Sequence, residues 1–489
     1  MGRISTADRQ LQLQREEAGQ HLYANRVRVY PKTVHGPVRR FKWAVLIVCL
    51  GIYYLLPWLR WNRGPGRADQ ALLLDIANER FYLFNLEFWP QDIYYLTGLM
   101  ILAAIGLFLV TSLIGRVWCG YTCPQTVWTD LFMWVERLIE GDRNARMRRD
   151  AGPVTIDTVW RKVLKHGVWL FVAFWTGGAW IMYYVDAPTV TREFWHGAAS
   201  TEVYGFTLLF TATTYLLAGW AREQVCTYMC PWPRFQAAMF DEQSFIVTYQ
   251  AWRGEPRGHL KTEPAAPRGD CIDCGACVTA CPTGIDIRDG VQLECIGCGL
   301  CIDACNHVME RTARAPWLIT WDTLARQSAK ARGQDAPIRL LRPRTIIYAS
   351  AMLIAIAAMG TALAMRPTIA LSVQHDRAPL FVLLSDGSVR NGFTVKIVNK
   401  TQADASFALS IDGLPNATMA LAESNAERAE TLTVLVDGDR VGSFRVLVTA
   451  PASGPSMPLE FTLRDTATGE TTRYHAAFMG PASIAAPAP

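Results

Sequence analysis

Apolar residues in this chain come in long blocks, not in the short periodic stripes of a soluble core. Five stretches, residues 43–59, 93–114, 167–185, 203–221 and 345–365, contain no charged side chain. Each reaches or approaches the roughly 20 residues that carry a helix across about 30 Å of hydrocarbon. The first is the shortest and contains Pro57. Aromatic residues stand at several ends, with Trp58 and Trp61, Tyr94 and Tyr95, and Tyr183 and Tyr184, where an interfacial belt puts them. The pattern predicts a five-helix transmembrane bundle.

After residue 365 the period shortens to two. Phe393, Val395 and Ile397 alternate with polar neighbours, as do Leu432, Val434 and Val436, then Phe444, Val446 and Val448, then Phe461 and Leu463. Gly, Pro, Asn and Asp separate these runs at intervals suited to an all-β, immunoglobulin-like sandwich. Between the first two blocks, residues 68–89 set Leu72, Ile76 and Phe84 against Asp75, Glu79 and Arg80, which predicts a segment lying on the membrane surface. The final "GPASIAAPAP" reads as disordered.

Charge supplies an orientation. Arg26, Arg28, Lys32, Arg39, Arg40 and Lys42 precede the first block, and Arg143, Arg146, Arg148 and Arg149 follow the second. Residues 222–344 are also basic, whereas residues 186–202 contain one arginine. Positive residues stay on the cytoplasmic side, so the N-terminus is expected inside and the C-terminal domain in the periplasm of a bacterial inner membrane. The polar residues before the first block leave no place for a cleavable signal peptide. The net charge of +5 is accounted for by this topology and lipid contact, with no nucleic-acid partner.

The 13 cysteines all precede the β domain, on the expected reducing side or within a span. That placement points to metal or redox chemistry, not structural disulfides. Eight of them form two C-x2-C-x2-C-x3-C runs, Cys271, Cys274, Cys277, Cys281 and Cys295, Cys298, Cys301, Cys305. This is the two-cluster bacterial ferredoxin spacing, in which the fourth cysteine of each run serves the other [4Fe-4S] cluster. Cluster one is assigned to Cys271, Cys274, Cys277 and Cys305, and cluster two to Cys295, Cys298, Cys301 and Cys281. A pair of zinc ribbons would use doublets instead. Pro282 follows the first run, and Asn306 takes that place in the second.

Four more cysteines form two C-x3-C-P motifs, Cys119 and Cys123 before Pro124, and Cys226 and Cys230 before Pro231. Both follow apolar blocks that run inward, so both pairs are expected at similar depth. Positions i and i+4 share a helical face, and the following proline favours a break or restart of the helix. Three readings compete: cysteines packed as small apolar residues, a third iron–sulfur cluster, and a copper site, since soft thiolates select Cu(I). Tyr121 and Tyr228 sit at matched places in the two motifs.

These motifs, with "RVRVYPKTVHGPVRRFKW", "RFYLFNLEFWPQDIYYLT", "WCGYTCPQTVWTDLFMWVERLIEG", "CTYMCPWPRFQ" and "DGSVRNGFTVKIVNK", resemble the FixG/CcoG polyferredoxins almost end to end. The resemblance implies an oxidoreductase of the cytoplasmic membrane, a cupric reductase serving assembly of cbb3-type cytochrome c oxidase. It implies two [4Fe-4S] clusters, with copper as substrate or bound ion at Cys119, Cys123, Cys226 and Cys230. Implied partners are a cytoplasmic electron donor, a copper-exporting ATPase or copper chaperone, and the oxidase assembly machinery. A second class, the polyferredoxins of nitrate and nitrous-oxide respiration, pairs similar motifs as quinol- or flavin-linked conduits that handle no copper. No covalent-flavin motif and no haem-ligand pair is present among the eight histidines. The expected division is an N-terminal segment 1–42, helices and thiol motifs 43–240, an α+β ferredoxin insert 241–344, a fifth helix 345–365 and the β domain 366–489.

Overall fold

The computed structural model describes residues 28–64, 68–259, 268–401, 403–422, 428–451 and 454–481. Arg26 and most of the C-terminal tail, residues 482–489, lie outside the described residues. The chain forms two compact units, Met1–Met359 and Gly360–Pro489.

Among the described residues three helices are long and apolar enough to cross a membrane, Pro37–Trp58, Pro90–Ile114 and Pro343–Ala364. The regular helix of the first, α1, is Pro37–Leu55, and that of the second, α2, is Ile93–Ile114. Large apolar side chains such as Ile47, Leu99, Met100 and Ile354 point out of the protein, as lipid-facing residues do. The five-helix expectation is therefore met in three places. Residues 167–181 belong to a longer helix, Ile156–Ile181, that includes Lys165 and draws its bulk from tryptophans of low hydropathy, and residues 182–185 form the turn after it. Residues 203–221 are divided between a helix of 14 residues, Thr201–Thr214, and wide π-helical turns over Tyr215–Ala221. Both stretches lack charge, but the first lies in a helix that is long enough and less apolar than the other three, and the second has a regular helix of only 14 residues. The two pack together closely at Gly177, where an added Cβ would stand 2.7 Å from the Thr207 carbonyl. Small residues at such crossings let helix backbones approach.

The chain between α1 and α2 departs from the surface-segment expectation. It forms a three-stranded antiparallel sheet of β1 (Leu72–Asp75), β2 (Arg80–Leu83) and β3 (Leu86–Phe88). Leu73 and Tyr82 face each other across it and are buried. Arg80 pairs with Glu87 at 3.0 Å on the neighbouring strand. The polar residues counted as a solvent face of an amphipathic segment are thus cross-strand partners and a turn.

The ferredoxin region has the expected α+β make-up. Strand β4 (Phe245–Tyr249) pairs antiparallel with β5 (Ile319–Thr323), and the helices Ala276–Ala280 and Leu300–Arg311 lie between them in sequence. Val247, Ile287, Ile302, Met309, Leu318 and Ile319 form its core together with Cys271, Cys277 and Cys305. It is tied to α1 by a polar contact. Gly36 offers no side chain to cap that helix, and the Asp303 carboxylate accepts from the backbone N–H of Val38 and Arg39 at 3.3 and 2.7 Å. A carboxylate suits a helix N-terminus electrostatically.

The second unit is a sandwich of two antiparallel sheets. One runs β10 (Thr418–Leu421), β12 (Arg440–Pro451), β8 (Ser388–Asn399), β6 (Ile369–His375), with β7 (Val382–Leu383) beside β8, and the other runs β11 (Thr431–Val436), β9 (Ala405–Asp412), β13 (Ser456–Asp465), β14 (Thr471–Met479). Strand β8 (Ser388–Asn399) and strand β11 (Thr431–Val436) bury every second residue along most of their length. Phe393, Phe407, Phe461 and Phe478 fill the space between the sheets and are wholly buried. Phe461→Ala should lower this unit's stability by about 3–5 kcal/mol, since the cavity cannot collapse among so many fixed rings. A urea midpoint for the unit left unchanged would show that the core tolerates the void.

Candidate functional site

The two ferredoxin runs fold by one local rule. After the second cysteine of each stands a glycine with positive φ, Gly275 at 64° and Gly299 at 70°, which opens the helix holding the third cysteine. The residue before that second cysteine is also left-handed, Asp273 at 52° and Gly297 at 66°. Successive residues of this kind turn backbone N–H groups into an anion-binding concavity. Arg288 anchors Asp273 by an ion pair of 2.5 Å and binds Asp286 at 2.6 Å, which holds the first run in place without glycine.

The fourth cysteines cross over. The nearest charged influences on Cys305 are Cys277, Cys274 and Cys271, and those on Cys301 include Cys298, Cys295 and Cys281. Cys281, Cys295, Cys298 and Cys301 line one small cavity, which Cys277 of the first run also reaches. Burial pushes the thiols of Cys277, Cys295 and Cys305 up to about 12, so loading each site displaces protons and is favoured by rising pH. Two sets of four soft donors, each beside a backbone concavity, fit two iron–sulfur clusters.

The C-x3-C-P motifs fold alike. Each lies in a π-helical turn, Trp118–Thr122 and Val225–Met229. The second cysteine donates its N–H to the carbonyl just before the first, Cys123 to Trp118 at 2.9 Å and Cys230 to Val225 at 2.7 Å. Proline follows and a new helix begins, α3 (Pro124–Glu140) after the first motif. The two pairs meet in space. Cys119 and Cys226 pack on one apolar patch formed by Ile296, Cys298 and Leu300 of the cluster-two loop. Burial pushes Cys119 up to about 12, with Cys123 and Cys230 acting the same way. Cys226 also stands at about 12 through burial, then through Cys123, Cys119 and Cys230. Cys230 is exposed, and the other three are half-buried. Among the described residues no three His, Cys, Asp or Glu side chains are gathered tightly enough to hold a single ion. The four thiols are neighbours without being a closed cage.

Residues outside the cysteine runs make the junction. Gly120 lies so close to the cluster-two loop that an added Cβ would stand 2.9 Å from the Ile296 carbonyl oxygen and 3.0 Å from Cys298 Cα. The Tyr121 hydroxyl donates to the Cys298 carbonyl at 3.1 Å. Its sequence counterpart Tyr228 is 76% exposed, against 4% for Tyr121, so the matched tyrosines do different things. The one visible hint was the motif interior, glycine in "WCGYTC" where "VCTYMC" has threonine. The Cys119 thiol donates to the side-chain oxygen of wholly buried Gln236 at 3.3 Å. Tyr121→Phe should cost about 0.5–1.5 kcal/mol, the worth of one such bond. Differential scanning of the purified protein measures this, and a loss well above that range would give the hydroxyl more than a packing role.

On the far side of Cys123 a cavity of about 350 Å³ opens among Tyr53, Pro124, Gln125, Trp128, Trp180 and Phe210. Beyond it α3 carries a buried ionic cluster. Glu136, fully buried, binds Arg146 at 2.5 Å and Arg222 at 2.9 Å, with Lys165 at 3.4 Å. Burial alone would raise this carboxyl, but Arg222, Arg146 and Lys165 outweigh it and bring it to about 2. Asp130 pairs with Arg39 at 2.7 Å and Lys42 at 3.5 Å.

Comparison with known proteins agrees with this arrangement. Residues 221–324 match a 4Fe-4S dicluster domain, residues 96–141 a 4Fe-4S binding domain, and residues 359–481 the IG-like fold at the C-terminal of FixG. The chain is 46% identical over 459 residues to the nitrogen fixation protein FixG of Rhizobium meliloti, covering 88% of each. It is 45% identical to protein RdxA of Cereibacter sphaeroides, covering 91% of this chain and 95% of that one. Protein RdxB of the same organism is also 45% identical, with 94% and 97% covered. Among solved structures, a FixG-related protein from Vibrio parahaemolyticus matches 23% of this chain and 97% of its own, at 22% identity and a TM-score of 0.20.

Proposed function

The chain belongs to the FixG family, and from that premise we propose that this membrane iron–sulfur protein reduces Cu(II) to Cu(I) at Cys119, Cys123, Cys226 and Cys230. The observation that carries the reading is the packing of Cys119 and Cys226 on the cluster-two loop at Ile296 and Cys298. Bound clusters supply single electrons at low potential. Gly120 and Tyr121 keep the gap between loop and thiols short. The thiols bind the copper ion, and their softness favours the Cu(I) product over Cu(II). Each turnover takes one electron from a one-electron donor and changes one Cu(II) into one Cu(I). Exposed Cys230 is where the product leaves, toward a copper chaperone or copper-exporting ATPase and then the cbb3-type oxidase. In this reading the N-terminus and ferredoxin insert are cytoplasmic and the β domain is periplasmic.

A second reading has observations of its own. The 4Fe-4S binding domain matched over residues 96–141 contains Cys119 and Cys123, and the cavity beside Cys123 is ring-lined and within the size range of small-molecule sites. On that reading the four thiols hold a third cluster in a quinol-linked conduit, and copper is not handled. Anaerobic purification with metal analysis and EPR separates the two. Equal iron in the wild type and in the Cys119/Cys123/Cys226/Cys230 quadruple alanine variant, with bound Cu(I) lost only from the variant, supports copper reduction. Iron falling in the variant, with no copper in either protein, overturns it in favour of the conduit.

A further inference from the structure

Arg116 stands between the thiol site and the cluster-two loop, and only 6% of it is exposed. Its guanidinium donates from Nη1 to the carbonyls of Leu293 and Cys295, the latter at 3.0 Å, and from Nη2 to the carbonyl of Pro233 at 2.8 Å. One side chain therefore binds the cluster-two loop and the second C-x3-C-P segment while belonging to the first. All of these partners are neutral carbonyls. Its buried Nε has no hydrogen-bond partner among the described residues, and no carboxylate there lies within ion-pair distance of it. The other buried cations of this region are neutralised, Lys42 and Arg39 by Asp130, and Arg146, Arg222 and Lys165 by Glu136. A buried charge without a counter-charge is expensive. An arginine keeps its proton even so.

Beyond burial, the charge interactions of Arg116 are with Cys295, then Cys119, then Glu294. Both cysteines are anionic when they bind metal. We propose that Arg116 is the shared counter-cation of the cluster-two site and the four-thiol site, and that it sets how readily cluster two accepts an electron. Reduction adds negative charge, and an adjacent fixed cation favours that state in a medium of low dielectric. Arg116 is thus a positioning and tuning residue, not a catalytic one. The inference rests on the reading of the Cys281, Cys295, Cys298 and Cys301 set as a cluster site.

EPR-monitored redox titration of the cluster-loaded, full-length protein tests it, without copper present, so the result is independent of copper reduction. Arg116→Gln keeps hydrogen-bond donors and loses the charge, whereas Arg116→Lys keeps the charge and loses the fork. The expected result is one cluster midpoint moved to lower potential in Arg116→Gln and restored near wild type in Arg116→Lys, with the other cluster unmoved. Unchanged midpoints in Arg116→Gln at full iron content would overturn the proposal, as would equal shifts of both clusters. If Arg116→Gln fails to retain iron, Arg116→Lys decides: a wild-type midpoint upholds the cation's role, and a lowered one overturns it.

Discussion

Gly120→Ala is expected to slow the proposed copper reduction by roughly tenfold to a hundredfold while iron content stays at the wild-type level. The added methyl would stand 2.9 Å from the Ile296 carbonyl oxygen and 3.0 Å from both the Cys298 nitrogen and its Cα. All three are backbone atoms, so no flexible side chain is available to move aside. Overpacking of this kind costs about 1–3 kcal/mol, and the junction relieves it by parting. Among the cluster-two thiols, Cys301 is held by the helix Leu300–Arg311, and Cys295 and Cys298 by the loop that leads into it. What widens is the gap to Cys119 and Cys226, and electron transfer falls steeply with separation. The check is the rate of Cu(I) appearance, read with a Cu(I)-specific chelator under dithionite, beside an iron assay on the same sample. An unchanged rate at full iron would mean that electrons do not cross at this contact.

Glu136→Gln should be the most destabilising single change in the helical region, by about 3–5 kcal/mol. The carboxylate neutralises Arg146, Arg222 and Lys165, drawn from three separate segments around α3. An amide of the same shape would take that counter-charge from buried Arg146 and Arg222, while Lys165 keeps Glu140 at 2.9 Å. Arg222 matters further because it sits at φ 44° and ends the π-helical turns that lead toward Cys226. Loss of its anchor should therefore disturb the second thiol pair as well. The pH dependence has a definite sign. The carboxyl lies at about 2 in the folded protein against 4.5 for a free glutamate. Its contribution is complete above the free value and is lost as pH falls toward 2. Thermal unfolding in detergent near neutral pH measures the effect, and a midpoint equal to the wild type would show that water or another anion replaces the carboxylate.

The two changes differ in how visible they were beforehand. The glycine in "WCGYTC" was present in the motif, but nothing local said what lies against it. Ile296 and Cys298 approach it from about 177 residues away in the chain, and only the folded insert brings them there. Tyr121 and Tyr228 make the point sharply, since matched positions in matched motifs became one buried donor and one exposed ring. Nothing in the sequence singled out Glu136. Arg146, Lys165 and Arg222 reach it from the following helix, the long helix Ile156–Ile181 and the turn before Cys226.

Two of the five apolar blocks fold differently from the other three. Residues 167–185 and 203–221 read as spans from their length and lack of charge. Tryptophan-rich composition in one and π-helical turns in the other keep both from being long apolar helices. A turn type depends on what packs around it, and no count of apolar residues reads it.

Sequence by itself determined what is local in the chain. Three cysteines within one run, with glycine after the second, present thiols on a single tight loop wherever that loop ends up. A two-residue alternation commits a segment to a half-buried strand, because side chains leave a strand on alternate faces. A long uncharged helix commits itself to lipid, because its own backbone bonds are already satisfied. The tertiary structure decided everything that depends on distance through space. It brought Cys119 and Cys226, from motifs over a hundred residues apart, onto one patch of the cluster-two loop, with Arg116 bound to that loop as a buried cation whose bonds run to neutral carbonyls. Packing and charge compensation act between neighbours in space, and only folding settles which residues those are.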